Sequence, residues 1–143
     1  MSIIAIVIFI TLTLISLVHL RWASGSTWPA KDEHNLVKMV IGEPNMRHMP
    51  PKKFTLIIAL LIFISGIIAL WGGNAIALPL PLWIREFSLF ILAFIFGTRG
   101  LAPFLIAKQL GERTMPFKAL DRVLYAPISL LLAIGYIILL IRL

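Results

Sequence analysis

Four apolar runs, at 2–20, 54–71, 83–107 and 121–141, each approach or exceed the roughly 18–20 residues needed to cross a hydrocarbon core of about 30 Å. In a chain of 143 residues they leave room for little else. The composition agrees, with 60% hydrophobic and 13% charged residues and a mean hydropathy of +1.01, which excludes an ordinary water-soluble domain. The expected fold is an all-α membrane protein, a single domain of four transmembrane helices in an antiparallel bundle. The first run has no basic residue ahead of it and no small-x-small cleavage site behind it, so it reads as a retained helix rather than a secretory signal. Cysteine is absent, which removes disulfides, thiolate ligands and a cysteine nucleophile.

The net charge of +7 is placed where topology wants it. Arg21, Lys31, Lys38, Arg47, Lys52 and Lys53 fall in the 21–53 connection, and Lys108, Arg113, Lys118 and Arg122 cluster around the 108–120 connection. The turn between the second and third runs carries only Arg85, and the carboxy-terminal tail only Arg142. By the positive-inside rule the two basic loops face the cytoplasm and both termini lie on the non-cytoplasmic side. The loops show no nucleic-acid recognition motif, so the expected partners are membrane lipids and their anionic headgroups, with no nucleic acid.

Gly72, Gly73, Asn74, Pro79 and Pro81 mark a short turn that makes the second and third helices a hairpin. In the longer loop, Asp32 precedes Leu36, Val37, Met39, Val40 and Ile41 and then Gly42, a capped pattern that predicts a helical turn or two on the membrane surface. Small residues four apart, Ser65 and Ala69, Ala93 and Gly97, Ser129 and Ala133, permit close helix approach within the bundle.

Arg99 is the costliest residue in these runs, because a charge at membrane depth faces a protein interior or a wet cavity. It lies roughly 12 Å from the loop-side end of its helix, within reach of that end by its long side chain. The same end receives His19 and Trp22 from the first helix and Asp121 and Tyr125, four apart on one face, from the fourth. A guanidinium beside a carboxylate is expected to form a bidentate pair, offsetting part of its desolvation. Pro103 and Pro127 have no N–H for the carbonyls of Arg99 and Val123, which adds free acceptors in the same layer. The cluster His19, Trp22, Arg99, Asp121 and Tyr125 therefore reads either as a structural polar clamp or as a ligand-binding pocket opening to the cytoplasm.

These residues also carry a resemblance. The run His19-Leu20-Arg21-Trp22-Ala23-Ser24-Gly25 with Trp28-Pro29, then Arg99-Gly100, then Phe117-Lys118-Ala119-Leu120-Asp121-Arg122 into Tyr125-Ala126-Pro127, resembles the DUF3995 family of small bacterial membrane proteins across most of the chain. Ala126 stands where the family pattern has serine, Ile128-Ser129 where it has Leu-Cys, and Gly25-Ser26 where it has a Gly pair. The resemblance implies the multi-pass fold and a bacterial inner (cytoplasmic) membrane, and brings no activity with it.

Three function classes remain open on the sequence. The first is a non-enzymatic binding or accessory protein that takes a small amphiphile or anionic headgroup, with Arg99 as the anion ligand and Trp22 and Tyr125 as walls. The second is a small proton-coupled transporter using Asp121 and His19, which lacks the mid-membrane carboxylate such carriers employ. The third is a membrane enzyme, for which the chain offers no nucleophile, phosphate loop or metal set; His19, His34 and His48 lie at unrelated spacings. No catalytic residue, metal or cofactor is expected.

Overall fold

A computed structural model describes residues 2–109 and 111–143. Its helices are α1 (Ile3–Ala23), α2 (Glu33–Val40), α3 (Lys52–Gly72), α4 (Leu82–Leu105) and α5 (Phe117–Ile141). All except α2 are long and apolar enough to cross a membrane, which fits a multi-pass membrane protein. Prolines set three of the starts. Pro51, Pro81 and Pro116 stand immediately before α3, α4 and α5, where a missing N–H costs nothing.

Large apolar side chains such as Leu14, Leu61, Phe94 and Leu131 remain exposed on the outer helix faces, as in helices that are hydrophobic all round. With apolar residues on every face, small residues decide which faces meet. α1 packs on α3, where the Ser16 hydroxyl donates to the Ala59 carbonyl at 2.7 Å and the Ser2 N–H to that of Gly73 at 3.0 Å. α4 packs on α5 through Gly100, where a Cβ would stand 2.6 Å from Leu130 Cγ and 2.9 Å from its backbone nitrogen. The two pairs join around Tyr136, which is fully buried, stacks on Phe96 at 5.7 Å and donates its hydroxyl to the Ser65 carbonyl at 2.7 Å. Ser65, Ala69, Ala93 and Ala133 are all buried inside this bundle.

Several expectations shift. α1 continues past residue 20 to Ala23, α4 stops at Leu105, and α5 begins at Phe117 rather than at 121. Shortly after its start α5 also carries a π-helical turn, Asp121–Tyr125. The Pro127 ring would clash with the Val123 carbonyl in a regular α-helix; the wider turn relieves it and lets the helix run on either side. α2 forms where its cap predicts, with the Asp32 carboxylate accepting from the Asn35 N–H at 2.8 Å. Its apolar face does not lie outward on a membrane surface. Leu36 and Val37 are turned inward and fully buried, because the first turn of α5 and Gly42 supply a protein surface to cover them.

Candidate functional site

The end of the bundle that carries His19, Trp22 and Pro103 is roofed by two connections stitched together. The Thr114 N–H donates to the Gly42 carbonyl at 2.9 Å, and Arg113 donates to the Glu43 carboxylate at 2.8 Å. Gly42 adopts φ +71°, and a Cβ there would meet the Phe117 ring at 2.6 Å, so glycine is required both by the backbone and by the contact. From this roof the Met39 carbonyl accepts the Tyr125 hydroxyl at 3.1 Å.

Beneath it lies a cavity of about 530 Å³ between α1, α3, α4 and α5. Its far wall is apolar, formed by Leu12, Ile62, Phe96 and Leu132, while His19, Trp22, Arg99 and Tyr125 line it together with Val40 of α2. Four of the five residues singled out by sequence thus share one cavity. The fifth, Asp121, stands behind Arg99. Their contact is 2.7 Å between Arg99 Nη2 and Asp121 Oδ1, a single hydrogen bond where a bidentate fork was expected. Asp121 and Tyr125, expected to work side by side, open to different spaces, Tyr125 to this inner cavity and Asp121 to another. Asp121 lines a second cavity of about 720 Å³ on the loop side.

The asymmetry of the ion pair is chemically informative. The Asp121 side chain is 11% exposed and that of Arg99 43% exposed, so the carboxylate is nearly enclosed while the arginine side chain stays accessible. Among the described residues, Nη1 and Nε of Arg99 make no hydrogen bond, which leaves donors free for an anion. His19 Nδ1 donates to the Ile15 carbonyl at 2.9 Å, which fixes the tautomer of the neutral ring and leaves Nε2 as an acceptor. Its ring sits 4.8 Å from that of Trp22, whose indole N–H donates to the Trp28 carbonyl at 2.7 Å. Trp22 is thereby pinned as a wall. Among the described residues no group of three His, Asp or Glu side chains converges to hold a metal ion.

Sequence reasoning missed the roof. Val40, Phe96 and Ser129 line the inner cavity, and the Glu43–Arg113 bridge ties the two connections, without any local pattern to announce them in these roles. Gly42, Val40 and Ser129 did carry signals, but they read as a helix stop, a surface-helix face and a helix-packing contact.

Among curated proteins and among solved structures, none matches this chain. The model of a family described as a protein of unknown function, DUF3995, matches residues 12–136, a span that contains His19, Trp22, Arg99, Asp121 and Tyr125. The chain belongs to the DUF3995 family.

Proposed function

We propose that this chain is a non-enzymatic binding or accessory protein of the bacterial inner membrane, whose inner cavity takes a small amphiphile bearing an anionic group. The observation that carries the reading is the shared cavity: an apolar chamber of about 530 Å³ with a partly free guanidinium, an imidazole, an indole and a phenol at one end. That is the ordinary composition of a ligand site, mostly apolar with a few convergent polar groups. The anionic group sits at the free edge of Arg99, Trp22 and Tyr125 flank it, and the tail lies along Leu12, Phe96 and Leu132. The helices run antiparallel with both termini outside and the roofed end in the cytoplasm, supported by the loop charges and by the proximity of Ser2 to Gly73.

The test is native mass spectrometry of protein extracted in mild detergent. A bound amphiphile is expected on the wild type and absent from Ser129→Phe, which fills the cavity without altering a charge. Arg99→Lys keeps the charge but loses the planar fork, and is expected to weaken retention by about tenfold while melting near the wild type. Wild-type protein free of adduct, or equal adduct on Ser129→Phe, overturns the reading.

A further inference from the structure

The second cavity, on the loop side of the Arg99–Asp121 pair, is formed where the chain leaves α4 and returns into α5. Four cations line it, Lys108, Arg113, Lys118 and Arg122, against two carboxylates, Glu112 and Asp121. Two of these charges are already matched: Asp121 pairs with Arg99 at 2.7 Å and Arg113 with Glu43 at 2.8 Å. Lys108, Lys118 and Arg122 form no ion pair among the described residues, and Glu112, also unpaired, offsets one of them. The cavity keeps an excess of about two positive charges by this count.

Membrane topology accounts for cations near a helix end but does not require them to converge. Lys52 and Lys53 serve the same topological purpose at the start of α3 and line neither cavity described above. Lys118 and Arg122, by contrast, lie four residues apart in the first turns of α5, an arrangement that costs stability through like-charge repulsion. A dianion between them removes that cost. Lys supplies a point charge and Arg a planar fork, the combination suited to a tetrahedral group rich in acceptor oxygens. The remaining wall, Pro103, Ala107 and Phe117, is apolar and accommodates the carbon skeleton such a group is attached to. Basic pockets beside transmembrane helices on the cytoplasmic side are a recurring form of lipid headgroup site.

We propose that this outer cavity binds a dianionic phosphate group through Lys108, Lys118 and Arg122. The phosphate belongs either to a lipid headgroup or to a soluble phosphate compound, and the site stands apart from whatever fills the inner cavity. Thermal unfolding of the full chain in dodecyl maltoside, with inorganic pyrophosphate or with added phosphatidate against phosphatidylcholine as probes, tests it. Pyrophosphate or phosphatidate is expected to raise the melting temperature; response to phosphatidate alone identifies the lipid source, and response to pyrophosphate a soluble one. The double variant Lys118→Gln/Arg122→Gln is expected to weaken the response about tenfold or more. Lys108→Gln, in the connection itself, gives a second reading should that double variant fold poorly. Lys52→Gln/Lys53→Gln removes the same charge outside the cavity and is expected to retain the response. No response to either probe overturns the proposal, as does equal loss in both double variants, which is diffuse surface charge. A response abolished by Ser129→Phe but kept by Lys118→Gln/Arg122→Gln places the anion in the inner cavity and equally overturns it.

Discussion

The Tyr125 hydroxyl donates to the Met39 carbonyl at 3.1 Å, so one hydrogen bond links the π-helical turn of α5 to the last turn of α2. The bond closes the roof over the inner cavity, because Val40, the next residue, is one of its walls.

Tyr125→Phe deletes that bond and leaves the ring, with its 5.9 Å contact to Phe117, in place. The expected loss of stability is about 0.5–1.5 kcal/mol, the net worth of one hydrogen bond. Amide hydrogen exchange in α2 is expected to quicken, while the core around Tyr136 keeps its protection. Unchanged exchange in α2 shows that Leu36 and Val37 alone hold it down.

The roof also titrates. Glu33 accepts the Met49 N–H at 2.8 Å and the His48 ring nitrogen at 3.2 Å, and these contacts, the Met49 N–H first, hold its carboxyl below the usual range. Asp32 is lowered likewise, chiefly by the Asn35 N–H that it caps. Both folded-state values are depressed, so their stabilisation is present above the ordinary carboxylate range and drains away as pH falls from about 4 through the lowered values. Exchange at the Asn35 and Met49 amides is expected to accelerate below about pH 4 with α1, α3, α4 and α5 intact. Equal acceleration of both amides in Glu33→Gln at neutral pH contradicts this, since only Met49 depends on Glu33.

How much of this was readable in one dimension follows from the range of each interaction. The membrane helices were legible because apolar length is a local property, and the Arg99–Asp121 pair because a charge at membrane depth demands a partner. The α2 cap was legible from Asp32 for the same local reason. The direction of its apolar face was not, since that depends on Phe117 arriving against Gly42 from 75 residues away. Pro127 signalled a disturbed helix, but not that the chain answers with a π-helical turn rather than a kink. Nor does spacing reveal that Arg99 and its partner Asp121 line different cavities.

Sidedness rests on the charge count and is open to a direct check. A single cysteine at Asn45 or Glu112 is expected to be shielded from an impermeant thiol reagent in intact cells and to label once the membrane is opened. Cysteine at Asn74 is expected to label from outside, the absence of native cysteine making the background zero. Its hydrogen bond from Arg85, 3.0 Å, places the lone basic residue of that turn on the same side. Labelling of Asn74→Cys only after permeabilisation inverts the topology.

The ion pair itself separates a structural clamp from a working site. Asp121 is nearly enclosed, so Arg99→Leu strands its charge, and Asp121→Leu strands the guanidinium in turn. Arg99→Leu is expected to destabilise the detergent-solubilised protein by about 1–3 kcal/mol, the cost of leaving the enclosed carboxylate unsatisfied, and Asp121→Leu by less, because the Arg99 side chain is 43% exposed. The double variant is expected to recover part of that loss, because an apolar pair of similar volume needs no partner, and the size of the recovery measures the coupling. Strictly additive shifts in melting temperature mean that the 2.7 Å contact contributes nothing as a pair. Stability and binding then part company: a clamp restored by two leucines retains whatever amphiphile the wild type carries, whereas a site that recognises an anion through the free edge of Arg99 loses it even in the recovered variant. Recovery of the fold without recovery of the ligand is the outcome expected here.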